Sequence, residues 1–265
     1  MSRSVHEAVS GGFGTTAEQY ERRRPGYPEQ AIDRLVQELE IGRACTVLDL
    51  GAGTGKLTRQ LATLGSRIVA VEPVEAMRRG FAAAVPGVPV VAGVAESLPV
   101  RPGCFDAVVC AQAFHWFDGE LALPEIHRAL KPHGRFGLLW YSRDESVDWV
   151  RQLGEILEPY KSCVPQEETG EWRRAFSVTD WFGTLNRLRF PHTQALDVEG
   201  LVERYASASY IAVLAEEERE EILSRIRRLA QVHPDLSGRA SFDLPYVTDL
   251  YWTARRETGS SDVTR

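Results

Sequence analysis

Apolar residues recur along the chain in two rhythms. Thr46 to Leu50, Arg67 to Val71, Val88 to Val94, Phe105 to Gln112 and Arg135 to Trp140 are short runs rich in β-branched and apolar residues. Such runs predict buried strands rather than amphipathic ones. Between them, apolar residues fall three and four apart, which predicts helices. Glu29 to about Leu39 turns Ile32, Leu35, Val36 and Leu39 inward after Pro28 opens it. Lys56 to Leu64 presents Leu57, Leu61 and Leu64, and Leu121 to Leu130 presents Leu123, Ile126 and Leu130 before Lys131-Pro132 stops it. Strands that alternate with helices predict an α/β fold with a parallel sheet.

The second half is less regular. Val147 to Leu157 reads as a helix, in a stretch from Tyr141 to about Thr179 that holds Trp149, Trp172 and Phe176. Leu185 to Leu196 predicts a long strand, Val198 to Leu214 and Glu216 to Gln231 two helices, and Phe242 to Arg255 a final strand. The last two strands would form a hairpin-like pair at the sheet's edge. Residues 1–12 and 257–265 are polar and are expected to be mobile.

Composition narrows the class. At 265 residues the chain fits one large α/β domain with an inserted subregion. Its hydrophobic share of 43% and charged share of 26% are those of an ordinary globular protein. A net charge of −6 carries no electrostatic footprint for nucleic acid. Cys45, Cys104, Cys110 and Cys163 are scattered without C-x-x-C spacing, which points to buried thiols in a reduced cytoplasm and to no structural metal. No long apolar segment predicts a membrane span, and no leader is apparent. The oligomeric state is not legible.

The chemistry concentrates at residues 46–56. Gly51, Gly53 and Gly55 turn the chain sharply after the first strand and let backbone approach a ligand. The crevice of a strand–turn–helix unit binds nucleotides in open α/β sheets. The dinucleotide fingerprint G-x-G-x-x-G fails, because Lys56 stands where the third glycine belongs. The G-x-x-x-x-G-K-[ST] phosphate loop fails too, because Leu50 and Leu57 replace its glycine and hydroxyl residue. Asp49 precedes the first glycine by two residues. A carboxylate there repels a pyrophosphate and suits a cation such as an α-ammonium group.

Val-Leu-Asp-Leu-Gly-Ala-Gly-Thr-Gly resembles motif I of class I S-adenosyl-L-methionine (SAM)-dependent methyltransferases. Other segments extend the resemblance to the small-molecule type 11 group, with trans-aconitate methyltransferase-like members nearest. Glu72 at the second strand end suits a ribose diol. Pro73 and Met77 follow, where the family places the adenosine. Val94-Ala95-Glu96-Ser97-Leu98-Pro99 is similar to the segment whose Ala95 backbone and Glu96 side chain reach the adenine. The Tyr-x-x-x-Arg-Pro-x-Tyr-Pro pattern at Tyr20, Arg24, Tyr27 and Pro28 resembles an N-terminal segment that folds over the cofactor. The resemblance implies Tyr20 at the sulfonium and Arg24 at the methionyl carboxylate. Thr54 lies in the glycine loop. Gln112 would bond the methionyl part, and His115, Trp116 and Phe117 would line the acceptor pocket with Tyr27.

The resemblance implies a Rossmann-like, seven-stranded, mostly parallel sheet with helices on both faces and a small helical cap. Residues 1–30 would cover the cofactor and 31–140 form the SAM-binding core. Residues 141–181 and 198–240 would be lid or acceptor-binding insertions, 182–197 and 241–256 the strands that complete the sheet, and 257–265 a disordered tail. The implied reaction is methyl transfer from SAM to a small-molecule acceptor, first of all at a carboxylate or hydroxyl oxygen. His115, as general base for an alcohol, and Tyr20 are the catalytic candidates. A C- or N-methyltransferase of quinone or natural-product metabolism would look the same, and a non-catalytic SAM-binding module stays open. The missing glycine disfavours an NAD-dependent oxidoreductase.

Overall fold

The computed structural model describes residues 25–161, 167 and 169–257. The strands are β1 (Thr46–Leu50), β2 (Arg67–Val71), β3 (Val90–Val91), β4 (Phe105–Ala111), β5 (Leu130–Arg143), β6 (Asn186–Leu196) and β7 (Phe242–Ala254). The helices are α1 (Glu29–Glu38), α2 (Lys56–Ala62), α3 (Glu75–Ala84), α4 (Gly119–Ala129), α5 (Asp148–Lys161), α6 (Arg174–Ser177), α7 (Val198–Ala206), α8 (Ser209–Ala212) and α9 (Glu216–Val232).

The strands form one sheet in the order β3-β2-β1-β4-β5-β7-β6. β1 pairs in parallel with β2 and β4, and the parallel set continues through β3 and β5. β7 runs the other way. Arg255 N donates to Gly134 O at 2.9 Å and Asp144 N to Pro245 O at 3.0 Å, so the residue numbers on β5 rise as those on β7 fall. Gly183 N to Ala254 O and Arg256 N to Trp181 O show the same reversal beside β6. This is the Rossmann-like, mostly parallel sheet with an antiparallel hairpin that the sequence implies.

The chain divides into two compact units. One comprises Glu29–Trp140, Glu167–Leu188 and Asp249–Arg265. Its core gathers the strand residues Leu48, Leu50, Val108, Phe136 and Trp140 with Leu123 and Ile126 of α4 and Trp172 and Tyr251. The other comprises Met1–Pro28, Tyr141–Gln166 and Arg189–Thr248. There α9 packs on α7 and α5, around Trp149, Leu153, Leu201, Tyr205, Ile222, Ile226 and Tyr246. Among the described residues no helix is long and apolar enough to cross a membrane.

Three elements differ from the expected pattern. The run Val88 to Val94 shrinks to β3, because it lies at the sheet's edge and pairs only with β2 over two residues. The helix expected over Val198 to Leu214 is broken. Ser207 Oγ donates to Arg204 O at 2.9 Å, a local side-chain bond at the point where α7 ends and before α8 begins. The strand expected from Arg135 begins at Leu130, and a bulge lies within it: Phe105 faces Leu130 while Ala107 faces Arg135. Lys131 Nζ clamps it by donating to both oxygens of Asp106 at 2.9 and 2.8 Å, and Asp106 also accepts Thr46 N at 2.8 Å.

Leu48 is fully buried at the centre of this core. Leu48→Ala is expected to remove about 2–5 kcal/mol of stability, read as a lower urea midpoint in tryptophan fluorescence. An unchanged midpoint would contradict its central place.

Candidate functional site

The site begins where β1 ends. Gly51 N and Ala52 N both donate to Val71 O, at 2.8 and 3.2 Å, and so start the glycine turn against β2. Gly53 N donates to Glu72 Oε2 at 2.9 Å, and Val74 N to Glu72 Oε1 at 2.8 Å. One carboxylate therefore pins the loop after β1 and the turn after β2 together. The glycines serve different ends. At Gly51 (φ +69°) an added Cβ would lie 2.6 Å from Ala113 Cβ and 3.3 Å from Phe117 Cζ. Only glycine admits both that backbone and that contact. At Gly53 (φ +56°) an added Cβ would meet nothing within 4 Å among the described residues. Its backbone faces open space that a ligand can enter. Gly55 backs onto Val85 and Phe81. Thr54 is buried between them.

Two buried carboxylates stand behind the loop. Asp49 is 1% exposed and accepts Thr58 Oγ1 at 2.5 Å through Oδ2. Its Oδ1 is buried with no hydrogen-bond partner among the described residues. Burial pushes the Asp49 pKa up to about 7, and the Thr58 hydroxyl offsets only part of that. Glu72 is raised as well, again by burial, against the bonds from Val74 and Gly53. The charge of Glu72 adds to the penalty on ionised Asp49, so Asp49 favours an incoming cation or hydrogen-bond donor. Cys110 shares this surrounding, and burial holds its thiol neutral.

The end of β4 forms the next wall. Gln112 has φ 57°, a left-handed conformation that a side chain adopts at a cost. Its amide still donates to Leu139 O at 2.8 Å. A short 3₁₀ turn, Phe114–Trp116, follows. It buries Phe114 and leaves His115, Trp116 and Phe117 partly exposed. Trp140 Nε1–H donates to His115 Nδ1 at 3.1 Å. A tryptophan only donates, so Nδ1 must be the acceptor and a neutral His115 keeps its proton on Nε2. Trp140 is in turn held by Trp172, 4.3 Å between ring centroids, and by Tyr251 at 5.7 Å.

Glu96 lies close by, and its Oε1 accepts Asp118 N at 2.8 Å. Asp118 caps α4 by accepting Leu121 N. Ala95 and Met77 are buried, and Pro73 is exposed. Asp49, Gly51, Gly53, Thr54, Gly55, Glu72, Gln112, His115, Trp116 and Phe117 thus lie on adjoining strand ends and the loops that leave them. Tyr27 belongs to the other unit, where its ring lies 5.8 Å from that of Tyr141. Tyr20 and Arg24 lie outside the described residues. Thr58 and Trp140 had no sequence signal of their own, since each acts on a residue far along the chain. No group of His, Cys, Asp and Glu among the described residues is placed to hold a metal ion.

A family model described as a methyltransferase domain matches residues 48–138. An uncharacterized methyltransferase of Mycobacterium tuberculosis is 40% identical over 240 residues, 91% of this chain and 94% of the relative. A methyltransferase-like protein of Schizosaccharomyces pombe is 36% identical over 241 residues, 89% and 92% of the two chains. Among solved structures, a putative type II methyltransferase of Anaeromyxobacter dehalogenans superposes with a TM-score of 0.65 at 24% identity, over 88% of this chain and 97% of that one. A phosphoethanolamine N-methyltransferase of Haemonchus contortus, solved with S-adenosylhomocysteine, gives a TM-score of 0.56 at 16% identity, over 96% and 60%. These last two likenesses are likenesses of fold.

The Asp49 pKa has a consequence for stability. With a folded value near 7 and an ordinary value near 3.8, the folded chain holds the Asp49 proton across that interval and the unfolded chain does not. This contribution to stability is complete below the lower value and is lost as pH rises through 7. Melting temperatures of the wild type, measured against Asp49→Asn from pH 5 to 8, should fall with pH. Parallel curves for the two proteins would overturn the assignment.

Proposed function

Because the chain belongs to the methyltransferase family, we propose that it moves the methyl group of SAM to an oxygen of a small-molecule acceptor, with a carboxylate as the first choice. The observation that carries the donor is the orphaned Oδ1 of Asp49, buried beside the open face of Gly53. A buried carboxylate oxygen without a partner calls for a donor from a ligand, and the α-ammonium group of SAM is such a donor. Glu72 keeps lone pairs beyond those used by Gly53 and Val74 and accepts the ribose diol. Met77 and Pro73 lie against the adenosine. Ala95 N and the second oxygen of Glu96 meet the adenine edge. Gln112 bonds the methionyl part, and Arg24 its carboxylate. Bound there, SAM supplies a sulfonium methyl already activated for in-line displacement.

The chain's remaining work is alignment and exclusion of water. The methyl–sulfur bond breaks as the methyl–oxygen bond forms, and the sulfur leaves neutral. Tyr20 helps orient the methyl. His115 presents Nε2–H, a donor that steadies an acceptor oxygen rather than a base that strips it. A carboxylate is already ionised at neutral pH and needs no base, which is why it is preferred to a hydroxyl here. Trp116 and Phe117 wall the pocket. The helical segments 141–181 and 198–240, with Tyr27, recognise the rest of the acceptor.

Calorimetry with SAM and with NAD tests the donor, and saturable binding of NAD alone would overturn it. Methyl loss across a panel of carboxylates, alcohols, amines and carbon acids tests the acceptor. Carboxylate esters are the expected products. Turnover on amines or carbon acids alone would shift the reading to N- or C-methylation, and SAM binding without turnover on any acceptor would make the chain a binding module. Trp140→Phe removes the donor to His115 and should lower kcat about fivefold, the worth of one hydrogen bond, with SAM affinity unchanged.

A further inference from the structure

The unit built from Met1–Pro28, Tyr141–Gln166 and Arg189–Thr248 holds a second concentration of unsatisfied polar groups. Arg204 on α7 is 7% exposed. Among the described residues no carboxylate pairs with it, and its Nε is buried without a hydrogen bond. The side chain of Arg143, at the end of β5, is 12% exposed. It reaches Glu145 at 3.0 Å and the Tyr205 hydroxyl at 3.4 Å, but its Nε too is buried and unbonded. Both guanidinium groups lie over the same ring: the Arg143 Cζ is 5.7 Å and the Arg204 Cζ 5.5 Å from the centroid of Tyr205.

Tyr246 faces Arg204 and is 2% exposed, and among the described residues its buried hydroxyl has no partner besides that guanidinium. Its ring meets Tyr141 at 5.6 Å and stacks on His192 at 5.5 Å. Tyr27 continues the aromatic frame through Tyr141. Burial pushes the Tyr246 phenol up from its ordinary value, so it is a neutral donor at physiological pH. The cluster therefore offers two cations and a hydroxyl, against the single, half-exposed carboxylate of Glu145.

A buried cation without a counter-ion is costly and is kept where something outside the fold supplies the charge. The unpaired guanidinium nitrogens of Arg143 and Arg204 can only donate, so the partner that they lack is an acceptor and negative. Guanidinium forks match a planar carboxylate, and the ring of tyrosines suits an apolar body behind it. We infer that Arg143, Arg204 and Tyr246 form a recognition subsite for the carboxylate of a small organic acid with an aromatic or apolar body. That this acid is the methyl acceptor rests on the function proposed above; that the cluster binds it does not.

The test uses benzoate as probe, with benzamide as its uncharged counterpart and inorganic phosphate as a different anion. Benzoate should raise the melting temperature of the full-length protein saturably, benzamide should not, and Arg204→Met should abolish the shift. Because Arg204→Met removes a charge that the fold does not pair, the ligand-free variant should melt no lower than the wild type. Tyr246→Phe keeps the ring and should weaken benzoate binding about fivefold. In turnover with any carboxylate substrate, Arg204→Met should raise KM about thirtyfold or more and leave S-adenosylhomocysteine affinity unchanged. The inference is overturned if benzoate has no effect, if phosphate alone stabilises, or if Arg204→Met melts well below the wild type, which would make the cluster a brace. Failure of the wild type to bind S-adenosylhomocysteine would sink the methyl-transfer reading and leave the benzoate result standing.

Discussion

A backbone amide held by a buried carboxylate is the constraint on which the candidate site depends. Glu72 stands one residue past the end of β2, and the parallel register sets Leu50 opposite Val71. The glycine turn after β1 therefore passes directly beside the Glu72 side chain. By accepting Gly53 N and Val74 N, Glu72 locks two loops that share no covalent link shorter than the whole of α2 and β2. Once the loop is locked, Gly51 can pack under Ala113 and Phe117, which places the 3₁₀ turn after β4. The carboxylate would be more stable in water. It is retained in the interior because the loop that it fixes has to keep an open face.

The features legible in the sequence are those coded locally. The apolar run of β1, the glycines, Asp49 and Glu72 all lie within short windows. What was not legible depends on partners distant in sequence or on competition at element ends. Thr58 bonds Asp49 from the following helix, and Trp140 reaches His115 across 25 residues. Val88 to Val94 has the composition of a strand, yet at the edge of the sheet it has one neighbour and stays paired for two residues. No glycine or proline marks the break after α7; a serine hydroxyl turned back onto its own helix coincides with it. Arg204 reads as a solvated helix residue until the tyrosines around it are in place.

The bond from Trp140 also changes how the chemistry is assigned. Read alone, a histidine at a strand end invites the role of base. An indole N–H removes that freedom by occupying one ring nitrogen and directing the proton to the other. In the reaction proposed above, the same histidine favours acceptors that arrive ionised, and Trp140 sets that preference from behind the site.

Folded chains leave few buried polar atoms unpaired, and two groups of them bear on ligand binding here. In one unit an acid lacks a donor at Asp49; in the other, cations and a phenol lack an acceptor at Arg143, Arg204 and Tyr246. The function and the inference proposed above assign an ammonium to the first and a carboxylate to the second. A buried polar group left unpaired lowers the stability of a ligand-free fold, and a ligand that binds only the folded state shifts the equilibrium back toward it. A residue that costs stability when alone and returns it with a ligand is the physical mark of a binding group. On that criterion Arg204 has as strong a claim as Asp49, though only Asp49 lies in a recognisable motif.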